Sequence, residues 1–245
     1  MTSNLQKKFK EAQPFSHLIM DDFFDEDTAK KIANDFPSYD SDAWTAHYLN
    51  AIEDKKTSNH WDKFPASIYT ALSYLCSPWW VDKLTEITGL QEIYPDYGLH
   101  GGGIHSHRPG GYLNIHKDYS IHPKLKLERK FNIIIYMTPN WQPNWGGGLE
   151  LWGHNEETGK PKEMITKVEN KFNRAVLFDT TMNSWHGLPE PIRCPGNFNR
   201  NSLAIYYLTR PSPDADPRNR ALFVADKDQE NDPEVEALIK RRSGM

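Results

Sequence analysis

Cysteine is nearly absent: Cys76 and Cys194 are the only two in 245 residues. Two thiols cannot frame a disulfide-stapled domain or fill a four-cysteine zinc site, and the expectation is a reducing, cytoplasmic compartment. Long apolar runs are missing as well. The longest, such as Ile133-Ile134-Ile135-Tyr136-Met137, fall far short of the roughly 20 residues that span a bilayer, and no apolar stretch follows Lys7, Lys8 and Lys10 as a secretory signal would require. No membrane partner is expected. Nor is there a basic excess. Lys plus Arg number 29 against 33 Asp plus Glu, a net charge of -4, which argues against a nucleic-acid partner. Apolar residues are only 38% and the mean hydropathy is -0.74. Aromatics at 12%, with eight Trp, still bury much area per residue, so a core with polar loops is expected.

The chain divides by texture. Residues 1–92 read as helical support. A helix from about Thr28 to Phe36 can be capped by Asp25 or Asp27 and is ended by Pro37, and another fits Ala66 to Leu75. A third takes Ser77 as cap, Pro78 in its first turn and Gly89 as its stop. Residues 40–64 show no clean period and read as irregular, either a lid or scaffold. From 93 to 210, short runs rich in Ile, Val, Leu, Phe and Tyr alternate with Gly, Pro and Asn clusters: Tyr112–His116, Phe131–Thr138, Gly148–Trp152, Glu163–Val168, Ala175–Asp179 and Asn201–Thr209. That spacing predicts a sandwich or barrel, since no helix-length pattern separates the runs. Residues 211–245 form an extension ending in a helix capped by Asp232, with Pro233 opening it and Lys240-Arg241-Arg242 matched to its dipole. The three segments are expected to form a single structural domain.

The chemistry concentrates in Gly101–Asp118. His116 and Asp118 are two apart, so on a strand they share a face, which Tyr112 and Asn114 would share too. His186 lies 68 residues further on (186 minus 118), after the run Ala175–Asp179. Two histidines and a carboxylate on separate elements can form the facial triad of non-haem Fe(II) enzymes. Arg200 and Ser202 are again i and i+2 and can grip a carboxylate. A 2-oxo dicarboxylate acting as electron donor would chelate the metal at one end and need such an anchor at the other.

With these segments in order, the chain resembles the Fe(II)- and 2-oxoglutarate-dependent dioxygenases, in their prolyl-hydroxylase-like branch. The resemblance runs over residues 93–210. Pro109–Asp118 is similar to the strand bearing the first two iron ligands, and Arg129–Thr138 to the next, where Tyr136 occupies the place of a tyrosine that touches 2-oxoglutarate. Trp145-Gly146-Gly147-Gly148-Leu149 resembles the family's Gly-Gly-x-Leu turn, and Asn173–Phe178, His186 and Arg200-x-Ser202 follow in family order. The resemblance implies a mainly β fold with flanking helices, the double-stranded β-helix, a cupin-like jelly-roll barrel. It implies Fe(II) on His116, Asp118 and His186, and 2-oxoglutarate on Arg200, Ser202 and Tyr136. The reaction would hydroxylate an unactivated C–H of a small molecule, amino acid or peptidyl, including prolyl, substrate, using O2 and releasing succinate and CO2, with ascorbate as a further reductant. Asp118 favours hydroxylation, because related halogenases lack this carboxylate.

Other readings stay open. The gap from His186 to Arg200 is long for the branch, and Arg193 is an alternative anchor. His105 and His107 also share a face and invite a cupin-type metal reading, but no Glu follows at the expected place, so barrel or pocket-rim positions suit them better. His100, His122 and His154 fall in expected loops and default to the surface, and nothing links His17, His47 or His60 to the metal. A jelly-roll binding module without iron, or a cupin-type metalloprotein, is the competing class.

Overall fold

The computed structural model describes residues 4–180 and 183–244. Among the described residues, five α-helices and thirteen strands follow one another. The first are α1 (Asn4–Glu11), β1 (His17–Met20), α2 (Glu26–Asp35), β2 (Ala46–Asn50), β3 (Glu53–Ser58), α3 (Ala66–Leu75) and α4 (Pro78–Thr88). Then come β4 (Tyr94–Pro95), β5 (Gly103–His107), β6 (Leu113–Lys117), β7 (Glu128–Tyr136), β8 (Leu149–His154), β9 (Pro161–Val168) and β10 (Ala175–Asp179). The last are β11 (Trp185–Leu188), β12 (Arg200–Thr209), β13 (Leu222–Phe223) and α5 (Pro233–Ser243). All strand pairs are antiparallel, in the order β1-β10-β7-β12-β5-β3-β6-β11-β8-β9, and the sheet curls into a nearly closed barrel of the double-stranded β-helix type.

The helices form where local chemistry directs. Ser77 accepts a hydrogen bond from the Trp80 amide at 3.3 Å, Pro78 opens α4, and Gly89 closes it at φ 80°. On α3, Ile68, Ala71, Leu72 and Leu75 repeat at helical spacing and are all buried. They pack with Ile32, Trp80 and Leu84 against Ile133, Ile135, Leu177, Leu203, Ile205 and Tyr207 of the sheet. Trp80 Nε1 also donates to the Tyr207 hydroxyl at 2.8 Å. Alternate residues of β7 and β12 therefore face the helices, and the intervening ones, Asn132, Ile134, Arg200, Ser202, Ala204 and Tyr206, face the barrel interior.

Residues 40–64, expected to be irregular, instead contain the hairpin β2–β3, and β3 sits inside the sheet between β5 and β6. The sheet thus draws β1, β2 and β3 from residues 1–92 and β13 from beyond 210. β3 reads Glu-Asp-Lys-Lys-Thr-Ser and shows no apolar alternation because it faces a polar interior, where Glu53 is only 1% exposed. β5 is likewise outside the runs that the sequence predicts as strands. It begins at Gly103, where φ is 93° and a Cβ would collide with the carbonyl oxygen of Ser58.

Candidate metal centre and its cavity

His116 lies near the end of β6 and pairs directly with His186 on β11; Asp118 follows immediately after β6. One ligand atom from each of the three lies within 4.8 Å of the others, and all three residues are buried. His116 Nε2 is 3.9 Å from Asp118 Oδ1, and His186 Nε2 is 3.7 Å from Oδ2. Both imidazoles are oriented from behind. His116 Nδ1–H donates to the Asn114 carbonyl at 2.9 Å and His186 Nδ1–H to the Ser184 carbonyl at 2.8 Å. This tautomer leaves each Nε2 lone pair facing its neighbours, as a metal site needs. Phe223 stacks on His116 at 5.0 Å, and Phe178 meets His186 edge-on at 4.9 Å. Burial, helped by neighbouring His186, lowers the His116 pKa to about 3, so its ring is neutral and able to coordinate.

Asp118 is held from the other side. The Tyr206 hydroxyl lies 3.2 and 3.1 Å from its two oxygens and donates to them, and Arg129 Nη1 is 3.5 Å from Oδ1. Arg129 is itself 2% exposed, with its guanidinium carbon 3.3 Å from the ring centres of both Tyr119 and Tyr206. Burial works against the charged carboxyl, but the two histidines, Arg129 and Tyr206 outweigh it and keep its pKa below the ordinary value.

The triad opens onto a cavity of about 500 Å³. Arg200 lines it and is 3% exposed. Its Nε donates to the Gly147 carbonyl at 2.6 Å, and its guanidinium lies 4.9 Å from the Tyr136 ring centre. Gly147 has φ 73°, and a Cβ there would sit 3.1 Å from Arg200 Cδ, so the Gly146–Gly148 turn makes room for this arginine. Ser202 pairs across strands with Tyr136 on one side and His105 on the other. The Tyr136 hydroxyl accepts a hydrogen bond from the Leu149 amide at 3.2 Å. Arg193, the alternative anchor, is exposed and is not among the lining residues.

Several expected placements change. Tyr112 and Asn114 do not line the cavity; Tyr112 donates to the Asn50 carbonyl and Asn114 to the Val224 carbonyl and the Gln229 side chain. Between Leu113 and His116, β6 carries one residue more than β11 does, and this bulge reverses the alternation. His122, expected at the surface, is 4% exposed; its Nδ1 accepts from the Lys124 and Leu125 amides, and its Nε2 is 3.5 Å from Asp96. His100 and His60 both line the cavity. Arg242, expected only to complement a helix dipole, reaches back to Glu53 at 2.6 Å and joins the cavity wall with Tyr48 and Lys55. His105 and His107 line the cavity as well, without joining the three clustered ligands. The sequence alone does not single out Arg129 or Tyr206, although Tyr206 shares the alternation that selects Arg200 and Ser202.

A jelly-roll barrel with a buried His-Asp-His cluster opening beside a buried arginine defines a class, the non-haem iron oxygenases that use a 2-oxo acid. The sequence model of the 2OG-Fe(II) oxygenase superfamily matches residues 102–234, more than half of the chain, and the chain belongs to that superfamily. Its members use Fe(II), 2-oxoglutarate and O2. The prolyl 3-hydroxylase OGFOD1 of Xenopus laevis is 31% identical over 62 residues, which is 25% of this chain and 12% of that protein. Among solved structures, a prolyl-4-hydroxylase of Pseudomonas putida has a TM-score of 0.54 at 16% identity, over 85% of this chain and all of that one. A prolyl hydroxylase from Trichoplax adhaerens, in complex with a hypoxia inducible factor peptide fragment, has a TM-score of 0.56 at 17% identity, covering 79% and 83%. HygX of Streptomyces hygroscopicus, with nickel, 2-oxoglutarate and hygromycin B bound, has a TM-score of 0.55 at 10% identity, covering 84% and 87%. At these identities the structures show a shared fold. Among the described residues, no helix is long and apolar enough to cross a membrane.

Proposed function

We propose that the chain is a hydroxylase in which His116, Asp118 and His186 hold Fe(II), while Arg200, with Ser202 and Tyr136, holds the distal carboxylate of 2-oxoglutarate. The donor set fits the metal: two imidazole nitrogens and one carboxylate, all buried and facing one another. When bound, metal and co-substrate supply the oxidising power that places a hydroxyl on an unactivated C–H, with 2-oxoglutarate becoming succinate and CO2. The chain's own residues prepare this. The Asn114 and Ser184 carbonyls lock the imidazole tautomers, Tyr206 and Arg129 hold the carboxylate, and Arg200 sets the direction in which a dicarboxylate enters. Ascorbate would serve as an added reductant.

The substrate is a small molecule, an amino acid or a peptide segment. The names of the prolyl hydroxylases above support a prolyl or peptidyl target, and the HygX complex supports a small molecule. The lack of basic excess speaks against nucleic acid. Two buried cysteines, both free, suit the cytoplasm. Residues 1–92, 93–210 and 211–245 form one structural domain in this reading.

The single observation carrying the proposal is the convergence of three buried ligand atoms beside buried Arg200. Its test needs no substrate. Fe(II) and then 2-oxoglutarate, added without oxygen, should produce the weak visible charge-transfer band of a chelated 2-oxo acid, and His116→Ala should abolish it. A folded wild-type protein that gives no band would sink the proposal.

A further inference from the structure

His107 is unused by the assignments above. It is 2% exposed, and neither ring nitrogen has a hydrogen-bond partner. A neutral imidazole carries one donor and one acceptor, and buried polar atoms are normally satisfied, so a group this enclosed is built for a partner that is not part of the chain. His107 stands directly across the β5–β12 ladder from Arg200, and cross-strand neighbours carry their side chains about 5 Å apart. Both residues line the cavity. Arg200 has already committed its Nε to the Gly147 carbonyl, leaving its terminal nitrogens for a ligand. Burial, with the Arg200 and Lys55 charges nearby, holds His107 neutral by pushing its pKa well below the ordinary value. It therefore offers an N–H without adding a second charge beside Arg200.

We propose that the His107 imidazole N–H donates to the same distal carboxylate that Arg200 pairs with, making the pocket select a dicarboxylate 2-oxo acid over a monocarboxylate one. This rests on Arg200 being the 2-oxoglutarate anchor. The test compares 2-oxoglutarate with 2-oxovalerate, which keeps the metal-chelating head and the chain length but lacks the distal carboxylate. Binding of each to the Fe(II)-loaded protein is measured without oxygen.

His107→Phe is expected to weaken 2-oxoglutarate by about tenfold or more while leaving 2-oxovalerate and Fe(II) affinities unchanged. His107→Gln, which keeps an N–H donor, is expected to recover part of the loss. Unchanged 2-oxoglutarate affinity, or equal losses for the two acids, would overturn the inference, since equal losses indicate a packing role. Should both variants fail to fold, nitrogen-15 NMR of the histidine rings in wild-type protein decides. The His107 signals should shift with 2-oxoglutarate and not with 2-oxovalerate, and identical spectra would reject the contact. Arg200→Gln serves as the control. If it leaves 2-oxoglutarate binding intact, the anchor assignment itself fails; if it weakens binding and His107→Phe does not, only the role of His107 fails.

Discussion

Replacing Tyr206 by Phe isolates one hydroxyl at the centre of the site. The ring that stacks on Arg129 at 3.3 Å is retained, so packing and the cation–π contact survive. What is lost is the donor that Asp118 accepts at 3.1 and 3.2 Å. A hydrogen bond to a charged group contributes about 1.5–3 kcal/mol. One proton shared between two oxygens at these lengths belongs near the lower end, about 1.5–2 kcal/mol. Asp118 is 6% exposed, and Arg129 at 3.5 Å becomes its main compensation among the chain's own groups. In the metal-free protein Tyr206→Phe should therefore lower Tm by roughly 3–8 °C for a chain of this size. A divalent cation on the triad supplies stronger compensation than the hydroxyl did. With saturating Mn(II), the gap between variant and wild type should shrink to less than half. Urea or thermal unfolding with and without Mn(II) measures both quantities. An undiminished gap in the loaded protein, or no gap in the metal-free one, would refute the view that hydroxyl and metal share the task of stabilising one buried carboxylate.

Arg200→Gln removes a buried, charge-assisted partner and should weaken 2-oxoglutarate by about a hundredfold or more, with Fe(II) affinity unchanged in an anaerobic titration; unchanged co-substrate affinity would leave the exposed Arg193 to be tested. Gly147→Ala imposes a Cβ at φ 73° against Arg200 Cδ and should destabilise by about 1–3 kcal/mol while raising the Kd for 2-oxoglutarate. Finally, burial holds His105 and His116 near pKa 3 and His107 well below its ordinary value. Below about pH 6.5 the unfolded chain takes up protons that the folded metal-free chain refuses. Stability should then fall by about 1.4 kcal/mol per pH unit for each of these histidines, and equal urea midpoints at pH 7 and 5.5 would contradict this.

What the sequence makes legible here depends on which side of the sheet a residue faces. The helices α3 and α4 are readable because caps and helical spacing are local properties, and their apolar faces have an apolar surface to meet. β7, β10 and β12 are readable for the same reason: Ile133, Ile135, Leu177, Leu203 and Ile205 turn toward those helices. The barrel interior, however, is a polar cavity, and a strand that meets it without an apolar outer row carries no hydrophobic alternation. β3, with Glu53 and Lys55 on the cavity wall, therefore reads as a loop, and β5 offers only Gly-Ile-His-Ser-His. A bulge is equally silent, which is why simple alternation along β6 puts Tyr112 and Asn114 on the face of His116, where the folded strand does not. The same logic shows how more of the site can be read. Once the apolar positions of β12 are given to the helices, the intervening ones must enter the barrel, and Arg200, Ser202 and Tyr206 follow together. Asn132 and Ile134 enter from β7 by that alternation. Arg129 does not: it precedes a register irregularity in the β7–β12 ladder, between Tyr207 and Leu208. Counting by twos from Asn132 would turn it away from the cavity it lines, and only the folded chain brings it to Asp118.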